Sequence, residues 1–462
     1  MLSQQVAAEV LNAALSSGGE FAEIFLEDRR DNTLVLQDNR IETVHSGRIH
    51  GAGIRVYVGL NAIYTYTNAT DRNGLLRCAH QAAAAVNEYR AVTQIKPFFV
   101  PQRENIHPIK FLPSAVDTHK KAEVLRMANA AARDVNAEIA QVICSYKDSE
   151  QDVLICNSDG LFTTDRRIYT RMACQVVASS GMENQTATES PGAMMGYELF
   201  EKQVDPASAA RSAAETAIRM LHAPQCPSGI MPVVIDNGFG GVIFHEACGH
   251  SLEATSVAFG MSEFCGKLGR QIAASCVTAI DDGTLANEWG SENIDDEGTP
   301  TGKLVLIENG VLKNYMIDRL NGKRMGMAPT GSARRQSYAF APTSRMRNTY
   351  IAPGNDSEDE IISSMGDGLY AAKMGGGSVN PATGEFNFAV QEGYLVKDGR
   401  IATPVRGASL IGKGAEILMK IDRVGRDMKM AQGMCGSLSG SVPTNVGQPM
   451  IRVSGITVGG RA

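Results

Sequence analysis

The sequence predicts an α+β fold: two mixed helix-and-strand units, N-terminal and middle, followed by a mostly antiparallel β region interrupted by one helix. Three observations predict it. Apolar residues recur at helical spacing near the start, at Val6, Val10, Leu11, Ala14 and Leu15, as the buried stripe of an amphipathic helix requires. Further on, Ile54, Val56 and Val58 alternate with other residues at the two-residue period of a strand. From residue 230 onward the chain changes to short β-like runs punctuated by glycine, the texture of strands joined by tight turns.

The elements follow in order. The first unit covers residues 1–93. Between 94 and 117 four prolines, Pro97, Pro101, Pro108 and Pro113, arrive without a sustained apolar period. Proline fixes φ and removes a backbone donor, so this stretch reads as a linker. The second unit, 118–223, opens on a helix near 119–137 and continues with strands near 141–145 and 152–156, beside the polar turn Ser158-Asp159-Gly160. A Ser/Ala-rich helix near 206–221 closes it. The third unit, 230–462, carries two hairpin signals: Asn309-Gly310 divides LVLIENGVLKNYMI, and Asp398-Gly399 divides YLVKDGRIATPV. Both dipeptides tolerate the left-handed backbone of a two-residue turn.

One segment breaks that β texture. After a strand at 232–235 comes Asn237-Gly238-Phe239-Gly240-Gly241 and then VIFHEACGHSLEA, which has helix-forming content. The glycines lack the Lys-Ser/Thr of a phosphate loop and the spacing of a dinucleotide loop. They read as a tight turn that lets the helix pack closely on its preceding strand.

Composition limits the partners. A chain of 462 residues at 43% hydrophobic has room for two or three domains. A net charge of -6 and a pI near 5.8 provide no basic field for phosphate backbones or anionic lipid, so neither nucleic acid nor membrane is an expected partner. The opening MLSQQVAAEV lacks the charged and apolar regions of a secretory leader. Nine cysteines with no C-x-x-C pair suit free thiols in a reducing compartment. The expected location is cytoplasmic.

The chemistry concentrates at His245-Glu246-Ala247-Cys248-Gly249-His250. Two imidazoles are the commonest zinc ligands, and the glutamate beside the first is placed to act as a base. On a regular α-helix, histidines five apart point about 140° away from each other, so both cannot face one metal. An i→i+5 turn takes in the extra residue and returns both rings to one side. Gly249 makes that distortion, or an early end to the helix, cheaper. Irregular backbone is therefore predicted between the two histidines of this metal-binding helix. A catalytic zinc takes three protein ligands and leaves a place for water. Glu253, three residues past His250 on the same helical face, and Cys435, in the glycine-rich GMCGS, are the two candidates for the third. Spacing leaves both open.

The segments NGFGGVIFHEACGHSLEA, IDDGTLANEWGSENIDDEGTPT, RRQSYAFAPTSRMRNTYIAPG, VRGASLIGKG and CGSLSGSVPTNVGQPMIRVSGITVGG resemble the TldD/PmbA family in its metal-bearing, TldD-type branch. GAGIRVYVG and SDGLFTTDRRIYTRM resemble its earlier domains, so the likeness spans nearly the whole chain. The resemblance implies a zinc metallopeptidase of the HExxxH type acting on small or unfolded peptides. It implies metal ligands at His245, His250 and Cys435, a general base at Glu246, and a supporting role for Glu253. It also implies a dimer around an enclosed site, either with itself or with a motif-lacking paralogue. Two other readings stand beside it: a non-catalytic binding or regulatory subunit of such a complex, and a cysteine hydrolase with Cys435 as nucleophile.

Overall fold

The computed structural model describes residues 2–86, 93–380 and 383–460. Helix α1 (Gln4–Leu15) starts where the Ser3 side chain accepts a hydrogen bond from the Val6 N–H, and it buries Ala7, Val10, Leu11, Ala14 and Leu15. Four of the five residues of the predicted stripe are buried, and Val6 is partly so. Two long strands follow, β1 (Phe21–Gln37) and β2 (Arg40–Val58), joined by Asp38 and Asn39 in left-handed conformations with φ of 49° and 65°. Strand β3 (Asn61–Thr67) and helix α2 (Arg72–Ala84) complete the first unit.

The second unit contributes α3 (Thr118–Arg133), β4 (Ile139–Asn157), β5 (Phe162–Ser180), β6 (Glu183–Glu189), the two-residue β7 (Gly192–Ala193), α4 (Leu199–Lys202) and α5 (Pro206–His222). The two strands expected at 141–145 and 152–156 are halves of the single 19-residue β4. The polar run between them does not break the strand because it is satisfied from both sides. Lys121 of α3 pairs with Asp148 at 2.6 Å, and the Gln151 amide donates to Glu27 of β1 at 2.9 Å. Pairing on both flanks supplies the rest of the backbone bonds.

The strands of both units form one antiparallel sheet in the order β3-β2-β1-β4-β5-β6, with β7 on β5. Alternation along β4 assigns its two faces. Val142, Cys144, Tyr146, Leu154 and Cys156 lie under the helices, whereas Val153 and Ile155 pack with Phe25 and Ile294 of the following region. The proline-rich stretch is not free of the sheet: the Lys96 N–H donates to the Ser158 carbonyl, and Phe99 bridges to Leu161.

The third unit holds β8 (Gly229–Ile235), β9 (Ala279–Asp282), β10 (Lys303–Glu308), β11 (Val311–Leu312), β12 (Ala333–Arg334), β13 (Thr343–Ser344), β14 (Asn348–Ile351) and β15 (Gly368–Val379). After these come β16 (Glu385–Lys397), β17 (Arg400–Val405), β18 (Ser409–Lys413), β19 (Ile421–Val424), β20 (Lys429–Ser437), β21 (Gly440–Gln448) and β22 (Ile451–Gly459). One sheet runs β11-β10-β9-β14-β21-β20, with β20 at its edge. In the other, β15, β8, β22, β18 and β16 pair in sequence, and a β15–β16 pairing closes them into a ring. Among the described residues, β14–β21 and β8–β15 are the only parallel strand pairings, so the region is mostly antiparallel, as the glycine-punctuated runs predict. Asn309-Gly310 and Asp398-Gly399 turn the hairpins β10–β11 and β16–β17, with φ of 49° and 83°, and 48° and 71°.

Candidate metal centre

After β8 the chain enters a 3-10 turn at Gly238–Gly241 that lies against β21. A Cβ on Gly241 would stand 2.6 Å from the Gly447 nitrogen, so glycine is required by close approach. One α-helical turn, Val242–Phe244, is fully buried. The backbone then widens into a π turn over His245–Gly249, in which the His250 N–H reaches back to the His245 carbonyl, and tightens again at His250–Leu252. The predicted irregularity therefore lies between the two histidines. Their rings stand 5.0 Å apart between centroids, with planes at 84°. The segment is thus a compound turn, shorter and less regular than the helix its composition suggests.

The structure brings Cys435 of β20 to these rings across 185 residues of chain. Its Sγ lies 3.3 Å from His245 Nε2 and 3.4 Å from His250 Nε2. The three donor atoms all fall within 4.8 Å of one another. Burial pushes the thiol up, but the charge and ring hydrogen bonds of His245 and His250 outweigh it and hold the acid constant down at about 3. His250 moves the other way. Burial lowers it, yet Glu253 and Cys435 hold it well above the ordinary imidazole value. A thiolate among imidazoles is the charge arrangement that a bound cation would replace.

Glu253 does not share a helical face with His250. It leaves the turn in extended backbone, and its Oε2 lies 3.2 Å from His250 Nδ1, the nitrogen opposite the one facing Cys435. A carboxylate on the far nitrogen of a ligating imidazole fixes its tautomer and orientation. The other oxygen of Glu253 faces Arg345 Nε at 4.0 Å. Arg345, fully buried, also donates to the Cys435 carbonyl, to Ser439 Oγ at 3.0 Å and to the Gly440 carbonyl at 2.8 Å. One guanidinium thus ties the carboxylate behind His250 to the strand that carries Cys435. Glu246 is partly exposed beside the cluster, with Oε2 3.8 Å from His250 Nε2.

The donor set, two imidazole nitrogens and one ionised sulfur converging on one point, fits a borderline-soft divalent cation such as zinc. Arg345 is the participant that sequence reasoning missed. Its signal is two arginines, Arg345 and Arg347, two apart in a segment with no neighbouring carboxylate in the chain, which implies distant buried partners.

Two imidazoles, a thiolate and a partly exposed carboxylate thus converge on a β scaffold. The chain belongs to the TldD/PmbA metallopeptidase family. Profiles described as "PmbA/TldA metallopeptidase" C-terminal domain, central domain and domain 1 match residues 228–460, 111–221 and 22–86. The chain is 34% identical to a metalloprotease TldD homolog of Haemophilus influenzae, over 99% of this chain and 97% of that one. It is 33% identical to a counterpart of Buchnera aphidicola over 96% and 93%. A zinc metalloprotease TldD homolog of Saccharolobus solfataricus is 29% identical over 96% and 97%. Among solved structures, a Thermotoga maritima protein described as a modulator of a DNA gyrase shares the fold with a TM-score of 0.81 at 21% identity, over 99% and 100% of the two chains. TldE of Thermococcus kodakarensis shares it at 0.78 and 17%, over 98% and 99%. The relatives' names define a peptidase-type function for the family.

Proposed function

We propose that this chain is a zinc-dependent peptidase that hydrolyses small or unfolded peptides, with His245, His250 and Cys435 holding the metal and Glu246 acting as general base. The observation that carries the reading is the convergence of Nε2, Nε2 and Sγ, with the partly exposed Glu246 carboxylate 3.8 Å from His250 Nε2. When bound, zinc supplies Lewis acidity at the scissile carbonyl and the attacking water. Glu246 accepts the proton of that water and delivers it to the departing amine. Glu253 accepts the His250 Nδ1–H, which leaves Nε2 with its lone pair free to ligate.

Strand β20 stands at the edge of its sheet, where an extended peptide can pair through its backbone with little dependence on side chains. The same reading includes a dimer, with itself or with a motif-lacking paralogue, that encloses the site. Sedimentation and a comparison of folded with denatured substrates test that part; a monomer that cleaves both equally would overturn it.

The central test is Glu246→Gln. The variant is expected to retain about one zinc per chain and to lose peptide hydrolysis by at least roughly a hundredfold. Chelation of the parent should abolish activity, and added zinc should restore it. Activity that survives chelation but not thiol alkylation would favour Cys435 as nucleophile instead.

A further inference from the structure

A cavity of about 600 Å³ lies between the β1-β4-β5 face and the β20–β21 hairpin, lined by Arg171, Lys147, Trp289 and Met434 among others. It sits on the opposite side of β20 from the metal cluster. Met434 projects toward it and is half-exposed, whereas Cys435, the next residue, projects toward the histidines.

The charges lining this cavity do not balance. Its carboxylates are all committed: Asp31 to Arg29, Asp148 to Lys121, and Glu292 to Arg167, Arg334 and Arg347. Arg171 and Lys147 have no carboxylate within ion-pair distance among the described residues. They also stand directly opposite each other across β4 and β5. Like charges in directly opposed positions destabilise a sheet, and Arg171 is largely buried, so this pair is costly without an anion. Arg171 is held in place by its neighbours. Its guanidinium stacks on Trp289 at 5.3 Å and donates to Ser190 Oγ at 2.8 Å and to the Gln432 carbonyl at 3.1 Å. Trp289 in turn donates to the Gly433 carbonyl at 2.8 Å. Both grips fall on β20 just upstream of Cys435, roughly 7–10 Å along the strand at its usual rise.

We propose that this cavity is a carboxylate subsite for the peptide, with Arg171 and Lys147 binding an anionic group two or three residues from the bond that is cut. The proposal rests on the peptidase reading for its substrate. The carboxylate has two sources, the C-terminus of a short peptide or an acidic side chain.

Trp289 is the only tryptophan of the chain, so its fluorescence reports this site without turnover. The experiment titrates the zinc-loaded Glu246→Gln protein with three alanine-based peptides: a free acid, its C-terminal amide, and an amide with one internal glutamate. At least one carboxylate peptide is expected to bind roughly tenfold more tightly than the plain amide, the size of a charge-assisted hydrogen bond. The free acid or the glutamate peptide then identifies the source. Arg171→Gln and Lys147→Gln are each expected to abolish the preference; the exposed Lys147 variant guards against any disturbance of β20 in the other. Equal binding of all three peptides, or a preference that survives both substitutions, overturns the subsite. Neither result touches the peptidase reading, which stands or falls on chelation and on the activity of Glu246→Gln.

Discussion

At the residue scale, His250 sits between two carboxylates with different duties. Glu253 holds its Nδ1 at 3.2 Å and is itself buried against Arg345, whereas Glu246 is partly open and has no such anchor. Replacing Glu253 by Gln removes the charge behind the ring and is expected to weaken zinc retention by about 10- to 100-fold, measured by competition with a chelating dye. Replacing Glu246 should leave retention nearly unchanged. Cys435 gives a second expectation, in pH. Its folded value, about 3, lies far below the ordinary 9.0. The stability its thiolate gives the metal-free protein is therefore complete above the free-thiol value and lost as pH falls through about 3. At neutral pH the metal-free chain should show thiolate ultraviolet absorbance that disappears in Cys435→Ser. Cys78, Cys156 and Cys248 contribute none, because burial raises each of them.

At the scale of the element, the π turn is what makes HEACGH a centre. It closes because Gly249 leaves room for Met346: a Cβ at that position would lie 2.2 Å from the Met346 sulfur. The turn is packed from the other side as well, where a Cβ on Gly414 would meet the Ala247 carbonyl at 1.9 Å. Gly249→Ala is expected to cost about 1–3 kcal/mol, the usual range for overpacking, with a parallel loss of zinc affinity as the rings are displaced. Shortening the obstructing side chain should relieve it. In a thermal-melting series, Gly249→Ala with Met346→Ala should be more stable than the sum of the two single changes predicts.

At the scale of the whole molecule, a buried ionic seam fastens the N-terminal sheet to the C-terminal region. Arg55 pairs with Glu23 at 3.1 Å and Glu297 at 2.6 Å, Arg335 with Glu23 at 3.0 Å, and Arg167 with Asp296 at 2.7 Å. All are almost fully buried. Breaking one member strands its partners in a low-dielectric interior, which costs far more than the pair contributes. Arg55→Met leaves Glu297 without its guanidinium, while Glu23 keeps Arg335. We expect a loss of about 3–5 kcal/mol, seen as a lower urea midpoint. Among the described residues no helix is long and apolar enough to cross a membrane.

The sequence by itself determined the elements whose signals are local. Helical spacing located α1, two asparagine-or-aspartate-glycine pairs located their hairpins, and the five-residue separation of His245 and His250 called for irregular backbone between them, which the structure supplies as a π turn. It also named Cys435, though only through family resemblance, since nothing in local spacing chose it over Glu253. Tertiary structure decided the rest. It merged two expected strands into β4, because the satisfaction of Asp148 and Gln151 comes from α3 and β1, remote in the chain. It carried Glu253 out of the helix and onto the far nitrogen of His250, and it brought Arg345 to the Cys435 carbonyl. Periodicity records which face of an element is apolar, but a buried polar group is paid for by partners whose identity depends on how the sheets pack.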